Sequence, residues 1–207
     1  MNLYEFDSVF YSRGFKSLVG VDEAGRGPWA GPVVAAAVIL PQNAFIEGLN
    51  DSKKLSPKKR KTILEKIKQI ALSYSVGVVS HTQIDEINIL QATYQAMKTA
   101  IAGTNTPFDL VLVDGWAIPQ LKLPQQNVIS GDAQSACIAA ASIVAKETRD
   151  AIMEEMAQEY PQYGFEKHKG YGTKQHMQAL QKFGVCPIHR VSYAPIKAIL
   201  KNALIIG

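Results

Sequence analysis

The sequence predicts an α/β fold, a central mixed sheet with helices on its faces. Three observations predict it. Short apolar runs rich in β-branched residues alternate with stretches of helical periodicity, in the order β-β-α-β-α-β-(β)-α-α-α. The 207 residues are 47% hydrophobic and 19% charged, ample material for one core. No linker, repeat or low-complexity tract divides the chain, so residues 1–207 are expected to form one domain, with a helical segment from about 160 to 207 packed against the rest.

The elements follow in order. Ser17–Asp22 and Val33–Leu40 are the first strand candidates, and Pro28, Gly31 and Pro32 punctuate the connection between them. A helix comes next, with Ser56 as N-cap, Pro57 at the first helical position, and Ile63, Leu64, Ile67 and Ile70 as the apolar face. Ser73–Ser80 reads as a strand. In the following helix Thr82 and Asp85 resemble a capping pair, and Ile84, Ile87, Leu90, Tyr94, Met97 and Ile101 define one face, ended by Gly103. Asp109–Asp114 is a short apolar strand closed by Gly115, and Asn127–Ser130 a further short strand. A long helix is expected from Ala133 to Glu159, its first turns made of small residues that allow close packing on a sheet. Shorter helices are expected over Lys174–Phe183 and Pro195–Leu204.

Composition narrows the function. The longest apolar stretch, Pro32 to Leu40, is far too short to span a bilayer, and Met1–Glu5 lacks the basic start of a secretory signal. With only Cys137 and Cys186, reduced thiols in a cytoplasmic protein are expected, Cys137 as a buried filler among small residues. The net charge of +4 is unevenly spread. Residues 51–70 carry eight Lys/Arg against Asp51 and Glu65, and residues 160–201 carry seven against Glu166, leaving the rest of the chain acidic. Basic zones beside an acidic centre suit a protein that grips a polyanion and holds metal where it acts. Lysine-rich stretches also occur as solvated helix faces.

The residues with chemistry begin at Asp22-Glu23-Ala24-Gly25-Arg26-Gly27, which closes the first apolar run. Adjacent carboxylates there seldom benefit folding, but they suit a hard divalent cation, which takes oxygen ligands. Strand neighbours point to opposite faces, so both carboxylates reach one metal only if the chain bends, which Gly25 and Gly27 permit. The bland alternative is a solvated strand end and turn. Asp114 ends a later strand in the same style, as a site residue or as a turn residue. Asp132 either caps the long helix or adds a ligand to the cluster. In Thr148-Arg149-Asp150 a local ion pair is expected.

His168, Lys169, Gly170, Tyr171, Lys174 and His176 interleave charge with one aromatic, a pattern for backbone contacts plus stacking, or an idle exposed loop. Lys53, Lys54, Lys58, Lys59, Arg60 and Lys61 are either a phosphate-facing patch or a solvated face, and His189 and Arg190 are weaker phosphate candidates. No phosphate-binding Gly-x-x-x-x-Gly-Lys, complete dinucleotide fingerprint, zinc-spaced Cys/His set or Gly-x-Ser-x-Gly is present.

Jointly, the chain resembles the bacterial ribonuclease HII (type 2 ribonuclease H) family along nearly its whole length. The carriers are Gly20–Pro28, Gly31–Val34, Asn50–Ser56, Ile84–Leu90, Val113–Gly115, Ala140–Lys146, Thr148–Asp150, Tyr160–Phe165 and Lys167–Tyr171. The resemblance implies an RNase H-like fold with a five-stranded sheet, and an acidic quartet at Asp22, Glu23, Asp114 and Asp132 holding two Mg²⁺ or Mn²⁺ ions. It places the family's Gly-Arg-Gly element on Gly25, Arg26 and Gly27 and its junction-sensing tyrosine on Tyr171. Lys53, Lys169, His168 and Arg190 are expected as further substrate contacts.

The implied substrates are RNA/DNA hybrids and duplex DNA with an embedded ribonucleotide, cut on its 5′ side. Two departures stand out: Trp116 where a smaller polar residue is usual, and Glu147 where an apolar residue is usual. Arg26 argues against the sister ribonuclease HIII, as does the short stretch before Ser17. The C-terminal Ala194–Leu200 lacks the paired aromatics of a sliding-clamp peptide, so a monomer without an obligate protein partner is expected. The competing readings are a non-catalytic nucleic-acid-binding module and a nuclease acting only on long hybrids.

Overall fold

The structure, a computed structural model, describes residues 2–206, and side chains over residues 2–201. Among the described residues, strands β1 (Leu18–Ala24), β2 (Val33–Ile39), β3 (Ser73–Val79), β4 (Leu110–Asp114) and β5 (Gln125–Val128) form one sheet in the order β3-β2-β1-β4-β5. β1–β2 and β2–β3 pair antiparallel, while β1–β4 and β4–β5 pair parallel. This is the mixed sheet the sequence predicts. Helices α1 (Leu3–Ser12), α2 (Pro57–Ile70), α3 (His81–Ala102), α4 (Ala136–Glu159), α5 (Phe165–His168), α6 (Lys174–Phe183) and α7 (Ala194–Ile206) surround it. No described helix is long and apolar enough to cross a membrane.

β2 is buried at every residue because it has a helical layer on each face. On one face Leu18, Ala36, Val38, Leu110 and Leu112 pack with α4 and with Phe10, Ile63 and Ile67 of α1 and α2. On the other, Val19, Val21, Ala35, Ala37, Val111 and Val113 pack with Ala92, Ala96 and Met97 of α3. A third cluster, including Tyr163, Phe165, Leu180 and Ile188, holds the C-terminal segment against Ala30 and the end of α4.

The small residues that open α4 do what the sequence suggests: they let the helix backbone approach β1. The approach is so close that a Cβ on Gly20 would collide with the main chain of Cys137 and Ile138. Cys137 is buried there and carries a free thiol.

Three expectations need correction. α3 is capped by Ser80 with Gln83, not by Thr82 with Asp85. Asp85 instead accepts hydrogen bonds from the N–H groups of Val191 and Ser192. The single apolar face expected along α3 is interrupted at Asn88 (φ 66°), whose carboxamide oxygen accepts from the N–H groups of Leu90 and Gln91 and starts a second helical run. That change of phase turns Leu90 outward and puts Ala92, Thr93 and Ala96 inward. α4 begins at Ala136 under a Ser135 cap, and Asp132 lies ahead of it in a separate 3-10 turn, Gly131–Ala133.

α1, absent from the elements expected above, starts at a reciprocal capping box formed by Asn2 and Glu5. We predict that Gly20→Ala forces β1 away from α4 and costs about 3 kcal/mol of stability, read from urea unfolding midpoints.

Candidate active site

The parallel pairing of β1 with β4 sets the site. Val21 is in register with Val113, so Asp22 and Asp114 stand side by side where the two strands end. Asp132 approaches from the turn before α4. Ser130 takes a left-handed conformation (φ 54°) there, and the Gly131 N–H donates to Asp114 Oδ1 at 2.6 Å. One carboxylate oxygen from each of Asp22, Asp114 and Asp132 lies within 4.8 Å of the others.

Glu23 lies outside that three-oxygen group but lines the same cavity of about 230 Å³. β1 stays regular through Ala24, so the bend invoked to bring both side chains to one point is absent. Glu23 pairs with Arg26 at 3.5 Å.

The cluster is electrostatically uncomfortable. Burial holds the Asp22 carboxyl well above the usual range, and the charges of Glu23 and Asp114 push it further up. Burial also raises Glu23, against the opposing pull of Arg26, and raises Asp114, against the N–H of Gly131. Lys53 Nζ donates to Asp132 Oδ2 at 2.9 Å, and this hydrogen bond raises the Lys53 pKa. An all-oxygen donor set with surplus negative charge fits a hard divalent cation, with Asp22, Asp114 and Asp132 able to hold it.

Two buried guanidiniums shape the rest of the cavity. Arg190 donates to the carbonyls of Gly25, Arg26, Gly31 and Pro32, and to the Tyr193 hydroxyl. Arg149 donates to the carbonyls of Ala30, Pro32 and Lys169. The local Arg149–Asp150 ion pair expected from sequence is not formed: Asp150 pairs with Lys146 and Arg60 instead. Arg190 is fully buried, so it frames the Gly25–Gly27 loop and offers no free donor to a phosphate. Gly25 (φ +98°) has no room for a side chain, since Arg149 lies where its Cβ would be.

The same correction applies elsewhere in the basic segments. His168 is buried, its Nε2 donating to the Tyr163 carbonyl while Nδ1 accepts from the Gly170 N–H. Lys169 is held by Glu154 and the Glu166 carbonyl, away from the carboxylates. Arg60 is buried against Glu147 at 2.7 Å and donates to the Leu55 carbonyl, bracing the turn that carries Lys53. The unusual Glu147 is therefore the partner of a buried cation. Tyr171 is 42% exposed, lines the cavity and lies beside Gly27. Ser52, Ser142 and Lys146 line it too, and the sequence reading did not single them out. Ser142 and Lys146 are one helical turn apart on α4, the signal that could have found them.

Beneath Tyr171 runs a directed chain of hydrogen bonds. The Cys186 N–H donates to His189 Nδ1 at 2.9 Å, His189 Nε2 meets His176 Nε2 at 3.0 Å, and His176 Nδ1 meets the Tyr171 carbonyl at 3.0 Å. A carbonyl only accepts, so His176 carries a proton on Nδ1, while His189 Nδ1 faces both the N–H and, at 3.1 Å, the carbonyl oxygen of Cys186. Burial pushes both pKa values down to about 4, so both rings are neutral at pH 7. His189 and His176 are thus scaffold and make no phosphate contact. Cys186 is a free, buried thiol at the head of this chain.

In sequence and in fold the chain is similar to known proteins. A family model described as Ribonuclease HII matches residues 19–196. The ribonuclease HII of Endomicrobium trichonymphae is 55% identical, covering 97% of this chain and 96% of its own length. That of Chlamydia caviae is 52% identical, covering 94% and 92%. Among solved structures, the ribonuclease H2 of Pyrococcus horikoshii OT3 aligns with a TM-score of 0.75 at 27% identity, over 90% of this chain and 98% of that one.

The histidine chain predicts a pH dependence. Between about pH 6.5 and 4 the unfolded chain takes up protons that folded His176 and His189 refuse, so their contribution to stability is lost on acidification. The stability advantage of the wild type over His176→Gln should shrink over that window, measured by urea unfolding at pH 7, 6 and 5.

Proposed function

The chain belongs to the ribonuclease HII family and is a ribonuclease H enzyme. On that premise we propose that it hydrolyses the RNA strand of RNA/DNA hybrids and also cuts duplex DNA 5′ to a single embedded ribonucleotide. The observation that carries this is the convergence of Asp22, Asp114 and Asp132, the first two of which line one cavity with the Gly25–Gly27 loop and Tyr171. We further propose that the chain acts as one cytoplasmic catalytic unit, with no obligate protein partner.

Asp22, Asp114 and Asp132, with Glu23 as the fourth carboxylate, would hold two Mg²⁺ or Mn²⁺ ions. Such ions supply activation of the attacking water and stabilisation of the leaving 3′ oxygen. A P–O bond to water forms and the P–O3′ bond breaks, leaving a 3′-hydroxyl and a 5′-phosphate.

The protein's own groups position the strand. Main-chain groups of Gly25–Gly27 are held in place by Arg190 and open to the cavity. They suit a 2′-OH, which both donates and accepts and is the tag that separates RNA from DNA. Tyr171 beside Gly27 suits the following sugar, where a deoxyribose fits and a ribose hydroxyl crowds the ring. The Lys53 side chain is 77% exposed, so its ammonium can swing from Asp132 to a phosphate oxygen.

Metal-dependent cutting immediately 5′ to one ribonucleotide in a DNA duplex is the expected result, abolished by EDTA; no cutting there while a long hybrid is cut would remove single-ribonucleotide activity. Asp22→Asn should lower turnover by about a thousandfold or more while duplex affinity changes by no more than about threefold. Tyr171→Ala should lose about tenfold of the preference for an RNA-to-DNA junction over continuous hybrid, read from paired substrates. An unchanged preference would remove Tyr171 from junction recognition.

A further inference from the structure

Beside the carboxylate cavity lies a second one, of about 120 Å³. Glu23, Arg26 and Asp114 line both. Beyond that shared wall the first cavity carries Tyr171, and the second carries Leu90, Tyr94, Met97 and Trp116. Trp116 is 70% exposed, two residues after Asp114. Its turn is held: the Gly115 N–H donates to the Val128 carbonyl at 2.9 Å, and Asn127 Nδ2 donates to the Gly115 carbonyl. Leu90, 41% exposed, is turned outward beside it by the Asn88 interruption of α3.

A large indole held on an ordered turn, with an apolar floor and a cation at the rim, is poor design for a surface that meets only water. It matches the way nucleic-acid strands are gripped, with an aromatic face for a base or sugar and an arginine for the backbone. Because Glu23, Arg26 and Asp114 line both cavities, a strand seated at the carboxylates can reach the second one directly. A protein partner would leave that continuity unexplained.

We propose that Trp116, with Leu90, forms a second strand-binding subsite that takes the sugar or base of a nucleotide flanking the scissile phosphate. The subsite rests on the function proposed above and adds a binding contact without taking part in the chemistry. Its occupant is a nucleotide of the substrate duplex, and its contribution falls on affinity and KM rather than kcat.

The test uses the full chain in the Asp22→Asn background, with Mg²⁺ and an RNA/DNA hybrid duplex, alongside cleavage kinetics of the cutting enzyme. Binding should quench tryptophan emission, and Trp116→Phe should remove that quench, which separates Trp116 from Trp29, packed against His176. Trp116→Ala should weaken binding about 5- to 30-fold and raise KM similarly, with Trp116→Phe keeping most of the affinity. Binding and KM of Trp116→Ala within twofold of the parent would overturn the subsite. An enzyme without Trp116 substitution that fails to bind and cut hybrid would overturn the proposed function itself, a result distinct from normal cutting with an indifferent Trp116.

Discussion

The structure around the site depends on two cations buried without a carboxylate partner of their own among the described residues. Arg149 and Arg190 together saturate the carbonyls of Gly25, Arg26, Ala30, Gly31, Pro32 and Lys169. Burial pushes Arg149 down to about 10, and the like charge of Arg190 pushes the same way, yet both stay protonated at neutral pH. A guanidinium presents five donors in a fixed plane, so each arginine sets the relative position of several backbone segments at once. Losing one would leave those carbonyls unsatisfied in the interior, at a cost of about 1–3 kcal/mol for each group that water cannot reach. The loop between β1 and β2 thereby becomes as fixed as a strand, and the segment bearing Tyr171 is fastened to it from below.

The carboxylates are fixed by a different device. Parallel strands β1 and β4 run in register to Val21 and Val113, and the sheet delivers Asp22 and Asp114 to one edge whether or not their charges agree. Burial raises both pKa values, with neighbouring carboxylates adding to it, and β1 itself lies against α4 at the Gly20–Cys137 approach. Asp132 is added by a short turn whose first N–H is spent on Asp114. Lys53 then offsets part of the charge from a turn braced by buried Arg60 and Glu147.

Much of this was legible in the sequence. Apolar runs and helical spacing give the sheet and its principal helices, because burial imposes those periods. The strand ends at Asp22 and Asp114 are legible for the same reason. What failed was the fate of buried polar side chains. Arg149 looks like half of an ion pair and Arg190 like a phosphate contact, since a sequence shows charge but not which carbonyls surround it. His168 and Lys169 fail alike: their partners Tyr163, Gly170 and Glu154 are brought to them by packing of the C-terminal segment on α4. The phase change at Asn88 escaped because asparagine within a periodic stretch carries no mark of a positive φ.

The carboxylate cluster and the Gly25–Gly27 loop with Tyr171 are therefore held by separate parts of the structure. The three aspartates hang on sheet ends and a turn, and their geometry is set by the ladder and by α4. The Gly25–Gly27 loop and Tyr171 hang on guanidinium and imidazole hydrogen bonds. The histidine chain ends at the Tyr171 carbonyl, and burial holds both of its rings neutral at pH 7. Glu23 and Arg26 are where the two parts meet: Glu23 belongs to β1, Arg26 to the loop, and their ion pair lies between the Tyr171 cavity and the Trp116 cavity. A strand lying across that pair would meet the carboxylates, Tyr171 and Trp116 together.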